Sequence, residues 1–185
     1  MRILFAGASG VLGRATLPHL FDHDVVGLTR SPQKTQQLRE LGVESAVCDV
    51  FDYDELLRLM QDIRPQAVVN FVTDLTSGSP EANNRARHDG GRNLLAAAAA
   101  VEASRLVVES VAFALDGDAA EAVEQLEQAT RGFPGEALIL RFGRLWGPGT
   151  FYDAPPQPPA VQIDKAGAEA ARLVTHARPG TYVVT

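Results

Sequence analysis

Gly7-Ala8-Ser9-Gly10-Val11-Leu12-Gly13 follows a short apolar run at residues 3–6 and opens an apolar-periodic stretch at residues 11–20. Three glycines at this spacing, between a strand and a helix, leave the backbone few alternatives. Gly7 permits the tight turn, Gly10 lets the main chain approach a diphosphate, and Gly13 lets the helix pack on the strand. The first turn of a helix leaves N–H groups without intrahelical acceptors, so an anion can settle there. A glycine triplet alone is weak evidence, but at a strand-to-helix junction it reads as a dinucleotide-binding turn. Gly7, Ser9, Gly10, Val11, Leu12 and Gly13 are therefore candidate phosphate contacts.

The rest of the chain alternates in the same way. Strand-like runs at residues 3–6, 24–28, 44–48, 67–72, 105–108 and 137–141 are separated by helix-like stretches, and a short run at 182–184 closes the chain. Pro18 should kink the first helix by removing a hydrogen bond. Ser31-Pro32 should open the second helix and Gly42 close it. Asp52 with Glu55 resembles a capping box for the third. Residues 81–103 read as one long helix in which Gly90-Gly91 serves close packing, since two glycines cost a helix about 1 kcal/mol each. Residues 119–130 read as an amphipathic helix with Ala119, Val123, Leu126 and Thr130 inward. Residues 154–159 are a stiff proline-rich connector. Alternating strands and helices predict an α/β fold: a Rossmann-type doubly wound parallel sheet with helices on both faces. The 185 residues fit one domain.

Composition narrows the function classes. With 23 acidic and 17 basic residues and a net charge of −6, the chain lacks a basic surface for nucleic acid. The longest apolar run, residues 94–101, is too short to span a bilayer, and the early glycines break the apolar core a leader peptide needs. These features predict a cytoplasmic protein with neither nucleic-acid nor membrane partners. The single cysteine, Cys48, excludes an internal disulfide and reads as buried filler. Histidines 19, 23, 88 and 176 lack ligand spacing, so no metal site is expected.

The end of the second strand bears on which nucleotide is bound. NAD binders usually carry an acid there to hold the ribose hydroxyls. This chain has Thr29-Arg30-Ser31 instead. Arg30 can pair with a 2′-phosphate through two hydrogen bonds, and Thr29 and Ser31 can add others, which favours NADP over NAD.

Taken together, these motifs resemble the extended and atypical branch of the short-chain dehydrogenase/reductase superfamily, the NAD-dependent epimerase/dehydratase family. The resemblance covers nearly the whole chain. It rests on the glycine turn, on Asp49 after the third strand, and on Val69-Asn70-Phe71-Val72 in the fourth. Residues 91–97, the segment 140–149 ending in Gly-Pro-Gly, and Val161-Gln162-Ile163-Asp164 before the last helix also match. The resemblance implies that Asp49 and Val50 contact the adenine, that Phe71, Val72 and Thr73 line the cofactor, and that Arg141 stands near its nicotinamide end. It also implies pairing through the helices after strands four and five, where the alanines at 96–100 would permit a homodimer.

Two departures stand out. Family enzymes use a Tyr and a Lys four residues later, assisted by Ser or Thr, because a nearby cation brings the phenol towards neutrality for proton exchange. Here the tyrosines are 53, 152 and 182 and the lysines 34 and 165, so no such pair exists. Aligning Glu124-Gln125-Leu126 with the family helix puts Asp116 and Ala120 in the Tyr and Lys places, and Val111 or Ser110 in the serine place. Glu109, Ser110 and Asp116 are the candidate substitutes for acid–base work, and loop-capping roles compete for the two acids. Arg144 and Trp146 follow, the first as a second anion contact or surface charge, the second as core or pocket wall. The other departure is length. Residues 1–185 read as one NAD(P)-binding domain whose substrate part, about 150–185, is truncated, so a pocket there would be shallow or completed by a partner.

Two functions follow. One is an atypical NAD(P)-dependent oxidoreductase or epimerase-type enzyme acting on a small metabolite. The other is a non-catalytic NADP(H)-binding sensor or regulator, for which the missing relay argues. A non-redox enzyme reusing the crevice is a third, weaker reading.

Overall fold

The computed structural model describes residues 1–74 and 78–185. Its first half runs β1 (Arg2–Ala6), α1 (Val11–Thr16), β2 (Asp24–Thr29), α2 (Thr35–Glu40), β3 (Glu44–Val47), α3 (Tyr53–Ile63) and β4 (Ala67–Asn70). The second half runs α4 (Pro80–Arg85), α5 (Gly91–Ala100), β5 (Arg105–Val111), α6 (Gly117–Arg131), β6 (Glu136–Phe142), β7 (Arg144–Trp146), β8 (Ala160–Gln162), α7 (Ile163–His176) and β9 (Gly180–Val184). Among the described residues, seven strands form one sheet in the order β3-β2-β1-β4-β5-β6-β9, with every pairing parallel. The fold is the expected Rossmann-type α/β sheet. Its strand order reverses between β1 and β4, the place where such sheets leave a ligand crevice.

Period-two alternation divides the core. Ile3, Phe5, Val69, Val107 and Leu140 face α1 and α7, whereas Leu4, Ala6, Val68, Val108 and Ile139 face α3, α5 and α6. On the first face α1 and α7 nearly touch, and a Cβ on Gly167 would lie 2.3 Å from the Ala15 carbonyl oxygen. The Asp52 cap forms as the sequence predicts, its Oδ1 accepting from the Glu55 N–H at 2.9 Å.

Local differences from the sequence reading have physical causes. Pro18 ends α1 early, and residues 17–19 tighten into a 3₁₀ turn. The long helix at 81–103 is interrupted by a π turn over Ala86–Gly90. Gly90 and Gly91 do serve close packing. A Cβ on either would meet Val50 Cγ2 at 2.9 Å or Leu126 Cδ1 at 2.7 Å. Helix α6 buries Leu126 and Thr130 as expected, but Ala122 and Glu127 are the other buried residues, while Ala119 and Val123 are half-buried. The proline-rich connector is framed by a small parallel pair, β7 with β8, and Tyr152, which precedes it, bridges to Trp146. No helix among the described residues is long and apolar enough to cross a membrane.

Candidate functional site

The strand ends nearest the reversal point enclose a cavity of about 490 Å³. Residues at or just beyond the ends of β1 to β5, with β7 and the turn after it, contribute to its wall. The turn after β1 supplies Gly7, Ser9, Gly10, Val11, Leu12 and Gly13; the end of β2 supplies Thr29, Arg30 and Ser31. Beyond β3 come Asp49 and Val50, beyond β4 come Phe71, Val72 and Thr73, and from β5 comes Glu109. Leu145 and Gly149 close the wall from the far side. The Gly-Pro-Gly segment therefore reaches the glycine turn, and Trp146, half-buried on β7, is not part of the wall.

The turn is shaped by sterics. Gly7 has φ +87°, and a Cβ there would stand 2.2 Å from the Phe71 carbonyl oxygen. A Cβ on Gly13 would lie 2.3 Å from the Gly7 oxygen. The Gly10 N–H donates to the Gly7 carbonyl at 2.9 Å, and Arg14 Nη1 donates to the Ser9 carbonyl at 2.8 Å. The N–H groups that open α1 have no acceptor within the helix. A cradle with no room for side chains and with unengaged donors fits the diphosphate of a dinucleotide.

The loops after β2 and β3 are held by local bonds. Asp49 Oδ1 accepts from the Phe51 N–H at 3.0 Å, and Asn93 Nδ2 donates to the Val50 carbonyl at 3.0 Å. The Ser31 N–H donates to Thr29 Oγ1 at 3.2 Å. Arg30 reaches across to Asp74, 3.3 Å away, joining the ends of β2 and β4 on either side of β1. Its side chain remains 62% exposed, which leaves it able to turn to another anion. Lys34 adds a second cation to the same wall.

The three acid–base candidates separate. Neighbours on a strand face opposite ways, so Glu109 lines the cavity while Ser110, 1% exposed, points under α6. There Ser110 Oγ donates to Glu127 Oε1 at 2.6 Å. Arg141 donates to both Glu127 oxygens, at 2.8 and 2.5 Å, and Arg131 to one at 2.7 Å. Burial works against the Glu127 charge, but these hydrogen bonds hold its carboxyl down at about 2. Arg141, expected beside the nicotinamide, thus belongs to this cluster and to a second cavity of about 470 Å³, shared with Ala120 and Phe113. Arg144 stacks on Phe113, 4.4 Å from its ring centre. Asp116 is exposed and precedes α6 without a side-chain cap bond.

Glu109 differs from the other acids. Burial pushes its carboxyl up to about 7, partly countered by Arg87. Arg87 lies outside the cavity lining and is a charged neighbour of Glu109 that sequence reasoning missed. In an uninterrupted helix it reads as one more solvated charge, whereas the π turn shifts the register and buries it to 8% exposure. Cys48 also lines the cavity as a buried thiol pushed up to about 12, chiefly by burial. No group of three or more metal-ligating side chains occurs among the described residues.

Comparison with known proteins agrees with this geometry. The chain is 33% identical to the 3-diazoavenalumate denitrifying reductase of a Streptomyces species, over 82% of this chain and 59% of that protein. It therefore spans about three-fifths of the length of this curated relative. Among solved structures, it resembles the Bordetella bronchiseptica enzyme WbmG in complex with NAD, with a TM-score of 0.78 and 17% identity. That match covers 100% of this chain and 72% of WbmG. The Thermus thermophilus UDP-glucose 4-epimerase complex with NAD gives a TM-score of 0.79 at 17% identity, over 100% and 77% of the two chains. At such identities the likeness is one of fold. The profile of the NAD(P)H-binding family matches residues 7–135, from the first glycine of the turn to the residue before β6, and the chain belongs to that family.

Proposed function

We propose that residues 1–185 form one NADP(H)-binding domain of a reductase or epimerase-type enzyme acting on a small metabolite. The observation that carries this reading is the shared cavity, in which the glycine turn, the ends of β2, β3 and β4, and Glu109 line one wall. The backbone of Gly7, Ser9, Gly10, Val11, Leu12 and Gly13 holds the diphosphate. Asp49 and Val50 border the adenine, and Phe71, Val72 and Thr73 line the path towards β5. Arg30, flanked by Thr29 and Ser31 and aided by Lys34, takes the 2′-phosphate. A phosphate dianion competes well with the single carboxylate of Asp74 for the Arg30 fork.

A nicotinamide coenzyme supplies or accepts a hydride. Reduction of a carbonyl to an alcohol also consumes one proton, which a group beside the reacting carbon must deliver. Glu109 is suited to that role, because a carboxyl near 7 is part protonated and part ionised at neutral pH and can give or take a proton. Ser110 and Arg141 are engaged by Glu127 and serve the structure instead. The relative's being a reductase by name supports hydride transfer. A cytoplasmic location and a homodimer through α5 and α6 complete the reading.

Calorimetric titration with NADPH and NADH tests it. NADPH should bind at least tenfold more tightly, and Arg30→Ala should remove that preference while leaving NADH binding unchanged, since charge-assisted hydrogen bonds are worth about 1.5–3 kcal/mol. Equal affinities in the wild-type chain refute the NADP assignment, and no heat with either coenzyme refutes the reading as a whole. NADPH oxidation by a panel of aldehydes, ketones and quinones then separates an enzyme from a sensor, which would bind tightly without turnover.

A further inference from the structure

Arg30 and Asp74 come from strands on opposite sides of β1. Leu28 and Asn70 are both register partners of Ala6, the last residue of β1. Arg30 follows shortly after Leu28 and Asp74 shortly after Asn70, so their ion pair crosses the exit of β1, where the glycine turn begins. Both residues line the same cavity as that turn. A dinucleotide with its diphosphate on the turn and its adenosine towards Asp49 and Val50 has to pass this pair.

The two ends of the pair are unequal. The Asp74 side chain is 15% exposed, against 62% for Arg30. The Asp74 N–H donates to Oδ1 of Asn83 at 3.0 Å, and Asn83 is itself buried on α4. Asp74 is therefore the anchored end, and Arg30 is the end that can swing. Among the described residues Arg30 makes one side-chain hydrogen bond, from Nη2 to Asp74 Oδ2 at 3.3 Å. Strong charge-assisted bonds of this kind are shorter, about 2.7–2.9 Å, and arginine forms its best ones in pairs. The contact is one that a better anion can break.

We propose that Asp74 is a specificity-determining residue of the coenzyme site, a built-in competitor whose carboxylate holds the arginine fork that a 2′-phosphate would take. The proposal rests on the NADP(H) reading above. A phosphate can engage two nitrogens of the Arg30 fork, and Lys34 adds a cation on the same wall. It must first displace Asp74, and once Arg30 turns away the carboxylate faces the phosphate as a like charge. A ribose with free hydroxyls brings no charge to replace the carboxylate, so Arg30 stays with Asp74. Asp74 thus weakens the hold on the 2′-phosphorylated coenzyme, leaves the other coenzyme nearly untouched, and sets the size of the preference between them.

Adenosine 2′,5′-bisphosphate and adenosine 5′-monophosphate differ only in the 2′-phosphate and test this by calorimetric titration of the wild-type chain, Asp74→Asn and Asp74→Ser. Thermal melts confirm that the variants fold. The wild-type chain should prefer the bisphosphate. In the variants the bisphosphate should bind about fivefold more tightly than in the wild type, as an exposed ion pair worth up to about 1 kcal/mol requires, while the monophosphate should be unchanged. NADPH and NADH should follow the same pattern. Weaker bisphosphate binding in the variants overturns the proposal, because Asp74 would then support Arg30 rather than compete for it. An equal gain for the monophosphate also overturns it. A wild-type preference that does not grow in the variants removes the competitor and leaves the NADP(H) reading standing. A preference absent from the wild type but present in the variants keeps the competitor and removes the NADP(H) assignment. No preference in any of these proteins removes both.

Discussion

Replacing Glu109 by glutamine keeps the shape of the side chain and removes a charge that the fold holds at a cost. The ordinary value for this carboxyl is 4.5, and in the folded protein it rises to about 7, chiefly through burial. Each pKa unit corresponds to about 1.4 kcal/mol, so the ionised side chain costs the native state about 3 kcal/mol. The sign follows from proton binding. Between pH 4.5 and 7 the folded chain holds this proton more tightly than the unfolded chain, so Glu109's contribution to stability falls as pH rises, and above 7 the penalty is complete. Below 4.5 both states are protonated and the group contributes nothing.

Glu109→Gln should therefore stabilise the coenzyme-free protein, and the gain should grow by about 2.5 kcal/mol from pH 5 to pH 8. For a domain of this size that is roughly 5–10 °C in Tm. Urea unfolding of both proteins at pH 5, 6, 7 and 8 measures it, and subtraction cancels the other carboxylates. A difference that does not change with pH refutes the assignment of a raised value to Glu109, and with it the argument that this group exchanges protons at neutral pH.

Two further outcomes check other parts of the site. Gly13→Ala should lose about 2–3 kcal/mol in urea unfolding, because its Cβ would sit 2.3 Å from one carbonyl oxygen and 2.7 Å from another, and it should no longer bind coenzyme in a titration. Glu127→Gln should cost about 3 kcal/mol at pH 7, by leaving two guanidinium groups short of their carboxylate, while NADPH affinity stays unchanged. Since the Glu127 carboxyl is held at about 2 against an ordinary 4.5, its stabilisation is present above 4.5 and lost as pH falls towards 2. Acid unfolding curves of the two proteins should converge in that window.

Much of the coenzyme cradle was legible because its signals are local. Gly7 and Gly13 are demanded by clashes with backbone a few residues away or on the adjoining strand. The Asp52 cap bonds to a residue three positions on. The acid–base candidates were less legible. Alternation alone puts Glu109 and Ser110 on opposite faces, but which of those faces meets the cleft depends on how α1 and α6 pack. Arg141 carries no local mark of its distant partner Glu127, and Arg30 none of Asp74.

The amino-acid sequence by itself determined the α/β alternation, the turn after β1 and the absence of a Tyr–Lys pair, since these depend on backbone sterics, apolar periodicity and residue identity. Tertiary structure alone decided which charges meet. It turned Ser110 away from the cleft, tied Arg141 into the α6 cluster and, through one π turn, brought Arg87 under cover near Glu109. The reason is the range of the forces. Conformational preference acts over a few residues, whereas burial and charge pairing depend on groups separated along the chain arriving at the same point in space.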